Sequence, residues 1–256
     1  EMEQARYLMN MGVIYGSTGK FNDAEANFKE ALRMYKAIPG TDIEQAICLM
    51  NLGNVYESTC KFNEAEANYK KALRMFEAID GTELYWAICL MGLGSVYKST
   101  GKFNEAEANY REALRMFEAI DGTEMEQARC LMGLGNVYLS TGKFNEAEAN
   151  YKKALRMFEA IEGTEIEQAK CLTGLGILYG IIQEEYSKAM SVLKEALEIC
   201  ERYPEGTEEI KNVCLKVLGQ IPRMFEAIDG AEMEQARYLM NMGVIYGSTG
   251  KFNDAE

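Results

Sequence analysis

From residue 84 the apolar positions fall at Leu84, Ala87, Ile88, Leu90, Met91, Leu93, Val96 and Tyr97. Steps of three and four describe one face of a helix. Thr100-Gly101 interrupts the run, and a glycine there suits the left-handed conformation that closes a helix. A second apolar face follows at Ala106, Tyr110, Ala113, Leu114 and Phe117, with Asn104 and Glu107 spaced as a capping box at its start. Asp121-Gly122-Thr123 ends this helix, and Thr123 with Glu126 has the spacing of the next box, as do Thr41 with Glu44 and Thr164 with Glu167. The spacing predicts helices over 83–99 and 104–120. Gly94, Ala106 and Ala113 lie where the two cross, and Tyr97 and Tyr110 fill the volume around them.

The same unit recurs. Gly12, Gly53, Gly94, Gly135 and Gly176 stand 41 residues apart. A fixed period in this range means stacked supersecondary units, because one hairpin cannot bury its own apolar faces. The pattern predicts an all-α chain: five long repeats over residues 1–203, then degenerate and truncated repeats over 204–256. In the fifth copy Ile181-Ile-Gln-Glu-Glu-Tyr186 replaces the Ser-Thr-Gly-Lys-Phe turn and is one residue longer. Pro204-Glu-Gly206-Thr207 predicts a loop, with Thr207 capping a sixth first helix from Glu208 to Ile221. A break or kink is expected at Pro222, since a proline inside a helix removes a hydrogen bond and clashes with the preceding turn. Glu232–Glu256 repeats Glu1–Glu25 letter for letter. A recent in-frame rearrangement, an engineered fusion or a longer array with a larger unit would each leave that signature. The chain stops inside a repeat and is expected to be a piece of a longer protein. Leu239, Met242, Val244, Ile245 and Tyr246 have no second helix to cover them in sequence, which predicts head-to-tail self-association.

The residues Leu90-x-x-Leu93-Gly94-x-x-Tyr97, then Ala106-x-x-x-Tyr110 and Ala113, resemble the tetratricopeptide repeat. Two features depart from it. Glu118 stands where the family carries a proline late in the second helix, and the period is 41 rather than about 34. Long repeats of this kind resemble those of kinesin light chains and spindle-orientation adaptors, which are cargo- and partner-binding scaffolds. The resemblance implies a right-handed α-solenoid superhelix of antiparallel helix pairs. It also implies a protein-interaction scaffold that holds a peptide segment in a concave groove lined by first helices. The alternative reading is a structural module that stacks end to end.

The resemblance also places groove positions. One row is Met9, Met50, Met91, Met132 and Thr173; the next is Asn10, Asn51, Gly92, Gly133 and Gly174. A third is Val13, Asn54, Ser95, Asn136 and Ile177, and a fourth, one turn earlier, is Arg6, Ile47, Ile88, Arg129 and Lys170. A methionine ladder gives an adaptable binding surface or packs between neighbouring first helices. Asn10, Asn51, Asn54 and Asn136 are the sharper signal, because a carboxamide offers donor and acceptor together and can hold a peptide backbone whatever its side chains. The chaperone-tail type of groove needs a lysine/asparagine carboxylate clamp, and the matching lysine row here is methionine, which argues against that partner. Tyr85-Trp86 replaces the Glu-Gln pair found at Glu44-Gln45, Glu126-Gln127 and Glu167-Gln168. Such aromatics are frequent interface anchors, and they could equally pack on Phe76 or Ile79.

Composition narrows the function classes. A net charge of −13 disfavours binding to nucleic acid phosphates. No apolar run approaches the ~18–20 residues that span a membrane. Histidine is absent, no nucleotide loop appears, and the carboxylates repeat evenly instead of converging. The chain is therefore expected to be neither an enzyme nor a holder of a cofactor or metal, and to bind protein or peptide. Cys48, Cys89, Cys130 and Cys171 recur at one position of successive repeats. Packed helices about 10 Å apart hold such residues too far apart for disulfides, so they read as reduced, small apolar groups of a cytoplasmic protein. The repeated charges Glu105, Glu107, Lys70, Lys71, Lys152 and Lys153 read as a solvated outer face.

Overall fold

The computed structural model describes residues 1–182 and 185–225. The duplicated stretch Glu232–Glu256 and the uncovered helix expected there lie outside the described residues. The chain divides into two compact units, residues 1–141 and residues 142 onward. The first holds α1 (Met2–Ser17), α2 (Phe21–Lys36), α3 (Asp42–Ser58), α4 (Phe62–Glu77), α5 (Glu83–Ser99), α6 (Phe103–Phe117) and α7 (Glu124–Ser140). The second holds α8 (Phe144–Glu159), α9 (Glu165–Ile177), a π-helical turn (Leu178–Ile182), α10 (Tyr186–Arg202) and α11 (Glu208–Phe225). All the described elements are helical. In the first unit α1, α3 and α5 each pack on the even-numbered helix that follows, α2, α4 and α6 each pack on the next odd one, and α1, α3, α5 and α7 are consecutive neighbours.

The period works through a shared aromatic core. Tyr69 of α4 lies against Gly53 of its own pair and against Gly92 of the next: a Cβ at Gly53 would fall 2.7 Å from the ring, and one at Gly92 2.5 Å. Tyr110 is held likewise between Gly94 and Gly133, where the added carbons would fall at 3.0 and 2.5 Å. Real Cβ atoms do not approach a ring to 2.5–2.7 Å, so glycine at 53, 92 and 133 is a packing requirement, while at Gly94 the ring would have to shift by a few tenths of an ångström. Gly92, Gly133 and Gly174, expected as groove floor, are recesses for the rings of Tyr69, Tyr110 and Tyr151.

The helix starts differ from the capping boxes expected. Asn104 is already inside the first turn of α6, because Gly101 takes φ +76°, Lys102 N–H donates to the Tyr97 carbonyl (2.8 Å), and the Lys102 carbonyl accepts the first helical bond from Ala106. Thr123 does occupy the N-cap of α7, yet its side chain caps nothing there. Its hydroxyl donates backward, shared between the carbonyls of Phe117 (2.7 Å) and Ile120 (2.8 Å) at the end of the preceding helix. Thr41, Thr82 and Thr164 do the same, and all four are buried. The Phe117 carbonyl already accepts from the Ile120 N–H (3.0 Å), but the end of a helix in a dry junction leaves carbonyl accepting capacity that water cannot fill, whereas the N-terminus is solvated. Gln127 supports the arrangement with Nε2 at 3.3 Å from both Thr123 Oγ1 and the Phe117 carbonyl, so the glutamine of the Glu-Gln pair joins the junction and no glutamate box forms.

The fifth pair absorbs its extra residue in the π-helical turn: Glu185 N–H reaches the Tyr179 carbonyl across six residues (2.8 Å), where Lys102 and Tyr97 span five. α11 continues through Pro222 to Phe225 instead of breaking there, with the proline in its last turn.

Candidate interaction face of the first helices

The four asparagines lie on the first helices of the first unit, mid-helix as expected. Asn10 and Asn54 are exposed, while Asn51 and Asn136 are half-buried. Asn54 is not wholly available to a ligand. Its Oδ1 accepts from the Tyr69 hydroxyl at 2.6 Å, and that hydroxyl also lies 3.0 Å from Glu57 Oε2. Burial, followed by the charge of Glu57, pushes the Tyr69 phenol far above its ordinary range, so it remains a donor. The bond fixes the Asn54 carboxamide with its Nδ2 toward Asn51 Oδ1, at a long 3.5 Å. Asn51 and Asn54 also share a cleft of about 240 Å³ with Val13, Phe28 and Val55.

The methionine row is uneven. Met50 is buried, whereas Met9, Met91 and Met132 are half-buried. Thr173, their counterpart in the second unit, is buried with its hydroxyl 2.7 Å from the Ala169 carbonyl and 3.2 Å from Cys214 Sγ. Arg129 is half-buried on α7, and Lys170 is exposed on α9.

The two aromatics of the third repeat separate. Tyr85 stacks on Phe76, ring centroids 5.2 Å apart at 14°. Trp86, standing where its siblings place the junction glutamine, turns to a second cleft of about 600 Å³ between the start of α5 and the end of α6, beside Leu84, Arg115, Met116 and Ile120.

Sequence reasoning missed a charged latch between repeats. Glu66 of α4 accepts from Lys70 (2.6 Å), from Tyr97 on the next first helix (3.2 Å) and from Lys102 in the next turn (3.2 Å). Glu25 repeats this with Lys29, Tyr56 and Lys61. Glu107, Lys70 and Lys152, expected as free outer charges, belong to such latches: Tyr138 donates to Glu107 (3.1 Å), and Lys152 pairs with Glu148 (2.6 Å). Hydrogen bonds from Lys29 and from Lys70 are the main causes holding the Glu25 and Glu66 carboxyls below the ordinary value. The signal available in sequence was the co-recurrence of Glu, Tyr and Lys at offsets of 31 and 36.

Cys48, Cys89, Cys130 and Cys171 are fully buried free thiols, and burial raises each to about 12, so none is a thiolate at neutral pH. Among the described residues no cluster of acidic, cysteine or histidine side chains has the arrangement of a metal site, and no helix is long and apolar enough to cross a membrane.

A family model described as the tetratricopeptide repeat matches residues 3–78, 86–160 and 126–202. No curated protein matches the sequence. Among solved structures, BtubC (BKLC) from P. vanneervenii is similar with a TM-score of 0.64 and 23% identity, over 80% of this chain and 88% of that one. The apo form of RapI is similar with a TM-score of 0.67 and 15% identity, over 97% of this chain and 95% of that one. Both are likenesses of fold.

Proposed function

Because the chain belongs to the tetratricopeptide repeat family, a family of protein-interaction scaffolds, we propose that it binds an extended peptide segment of a partner protein along the first helices of residues 1–141. The observation that carries this reading is the pair Asn51 and Asn54. They sit side by side on α3 at an apolar cleft, and the bond from Tyr69 aims one carboxamide before any ligand arrives. A preset carboxamide loses little conformational freedom on binding. Asn10, Asn136, Met9, Met50, Met91, Met132 and Arg129 are the further contacts proposed along this face, with Lys170 on α9. Trp86 is the proposed aromatic anchor away from that row, whereas Tyr85 serves packing through its stack on Phe76.

Peptides selected from a random dodecamer library test the reading. Asn51→Ala with Asn54→Ala is expected to weaken them by about 1–3 kcal/mol, the range for losing hydrogen bonds to a desolvated partner. Unchanged affinity in that variant would remove the asparagine pair from the binding function.

A further inference from the structure

Three positions that form a polar set in the second repeat are changed together in the first. Asn54, Glu57 and Tyr69 correspond, 41 residues earlier, to Val13, Gly16 and Phe28. In the second repeat the Tyr69 hydroxyl ties Asn54 to Glu57 and closes the space between α3 and the ring. In the first repeat the hydroxyl, the carboxylate and the carboxamide are all gone, and the cleft of about 240 Å³ stands in their place. Packing does not demand Gly16. A Cβ there would meet only the Ala24 methyl, at 4.0 Å, whereas one at Gly12 would strike the Phe28 ring at 2.7 Å. The next helix has also adjusted. Tyr69, Tyr110 and Tyr151 face glycines at 92, 133 and 174, but opposite Phe28, which lacks the phenolic oxygen, the position is Asn51. So a carboxamide stands at the mouth of the cleft where its siblings have bare backbone.

We infer that this cleft is the side-chain pocket of the proposed peptide site and takes one uncharged aliphatic side chain of leucine or methionine size, with Asn51 and Asn54 holding the flanking peptide backbone. The inference rests on the peptide-binding reading above. The occupant's size follows from the second repeat, where the corresponding positions carry the two methylenes and carboxylate of Glu57 and the phenolic oxygen of Tyr69 beside the Asn54 carboxamide. Its chemistry follows from the lining. Val13, Phe28 and Val55 form the walls, the polar groups are neutral, and among the described residues no ionisable one lines the cleft. A charged side chain would lose its hydration there without gaining a partner. An aliphatic one would remove apolar wall from water.

Gly16→Leu plugs the pocket from a helical position with free space around it. Two readings test the inference. First, N-acetyl-leucine-N′-methylamide, titrated against protein with labelled valine methyls, is expected to shift Val13 and Val55 saturably. The aspartate analogue is expected to leave them in place, and the leucine shifts are expected to vanish in Gly16→Leu. Second, peptides selected from the random dodecamer library are expected to share one aliphatic position and to bind Gly16→Leu at least tenfold more weakly, with a melting temperature equal to or above that of the parent. Gly16→Met serves if the leucine variant melts lower. Peptides that fail on Asn51→Ala with Asn54→Ala but bind the plugged variants as tightly as the parent would overturn the pocket and leave the peptide face standing. Peptides that tolerate the asparagine variant but fail on the plugged ones would keep the pocket and sink the backbone clamp. A library that yields no binder, or yields peptides with a charge at the shared position, would overturn the pocket. So would a dimer of the parent chain that Gly16→Leu dissolves, since the occupant would then be a second copy.

Discussion

The third and fifth helix pairs are built on the same glycine and solve the space in front of it differently. Gly94 of α5 is covered by the ring of Tyr110, which reaches on to Gly133 of α7. Gly176 of α9 is covered by Leu193 of α10, a branched aliphatic chain with no hydroxyl. The turn differs as well. The third pair uses a left-handed glycine, and the fifth uses a π-helical turn that takes up one residue. The recess is therefore the fixed element of the repeat, while the group that fills it and the turn that delivers it are exchangeable. What the fifth pair gives up is reach, because a leucine serves one recess and a tyrosine serves two.

The largest test strikes the recess itself. Gly92→Ala places a methyl on a ring clamped between two helix backbones and should cost about 2–3 kcal/mol by overpacking, despite the better helix propensity of alanine. Gly176→Ala meets a leucine that can change rotamer and should cost about 1 kcal/mol. Urea denaturation of the two variants gives the comparison, and equal costs would show that the filling group does not matter. Next in size is the junction. Thr123→Val removes the buried hydroxyl shared by the Phe117 and Ile120 carbonyls, of which Phe117 keeps the Ile120 N–H, and should cost about 1 kcal/mol.

The acid response should differ in sign between two carboxylates, Glu66 of the first unit and Glu195 of the second. The Glu66 carboxyl is held below its ordinary value of 4.5, first by the hydrogen bond from Lys70. Its stabilisation is complete above that pH and is lost as the pH falls through the lower folded value. In the second unit Glu195 is shifted upward, first by burial and then by the charges of Glu159 and Glu198. That carboxylate destabilises the fold at neutral pH, and the penalty is relieved as the pH falls toward 4.5. Glu66→Gln should lower the melting temperature at pH 7 and lose its effect in acid, whereas Glu195→Gln should raise it at pH 7 and lose that gain near pH 4.5. Parallel pH profiles would remove the contrast. The smallest effect belongs to Cys60, which holds φ +57° in the turn where sibling repeats have glycine. Cys60→Gly should gain about 1 kcal/mol, read as a higher urea midpoint.

The sequence carried the helices well because their signal is local. Apolar spacing and the Thr-Gly turn placed α5 at Glu83–Ser99, the range expected, and missed only the earlier start and end of α6. Direction was not legible. A threonine hydroxyl can accept or donate, and only the proximity of Phe117 and Ile120 decides that Thr123 serves the helix behind it. Contacts across repeats were legible only in the recurrence of their separations: Glu66 meets Tyr97 and Lys102 at offsets of 31 and 36, which no single helix period relates. The interaction face was half legible. The rows put Asn51 and Asn54 together, but whether a row position is open surface or a recess depends on the ring opposite. That is why Gly92 belongs to the core and Asn51 to the cleft.

Because Tyr69 and Tyr110 each fill a recess in their own helix pair and another in the next, the segment that can be copied or lost during evolution is out of phase with the hairpin seen in three dimensions. Excising one hairpin and joining ends of a different type would leave a ring without its second recess, or a recess without its ring. Between Gly53 and Gly133, removing or adding a whole period of 41 residues returns a tyrosine of this row to a glycine wherever the cut falls, so that span can change length by recombination while its rings keep both partners.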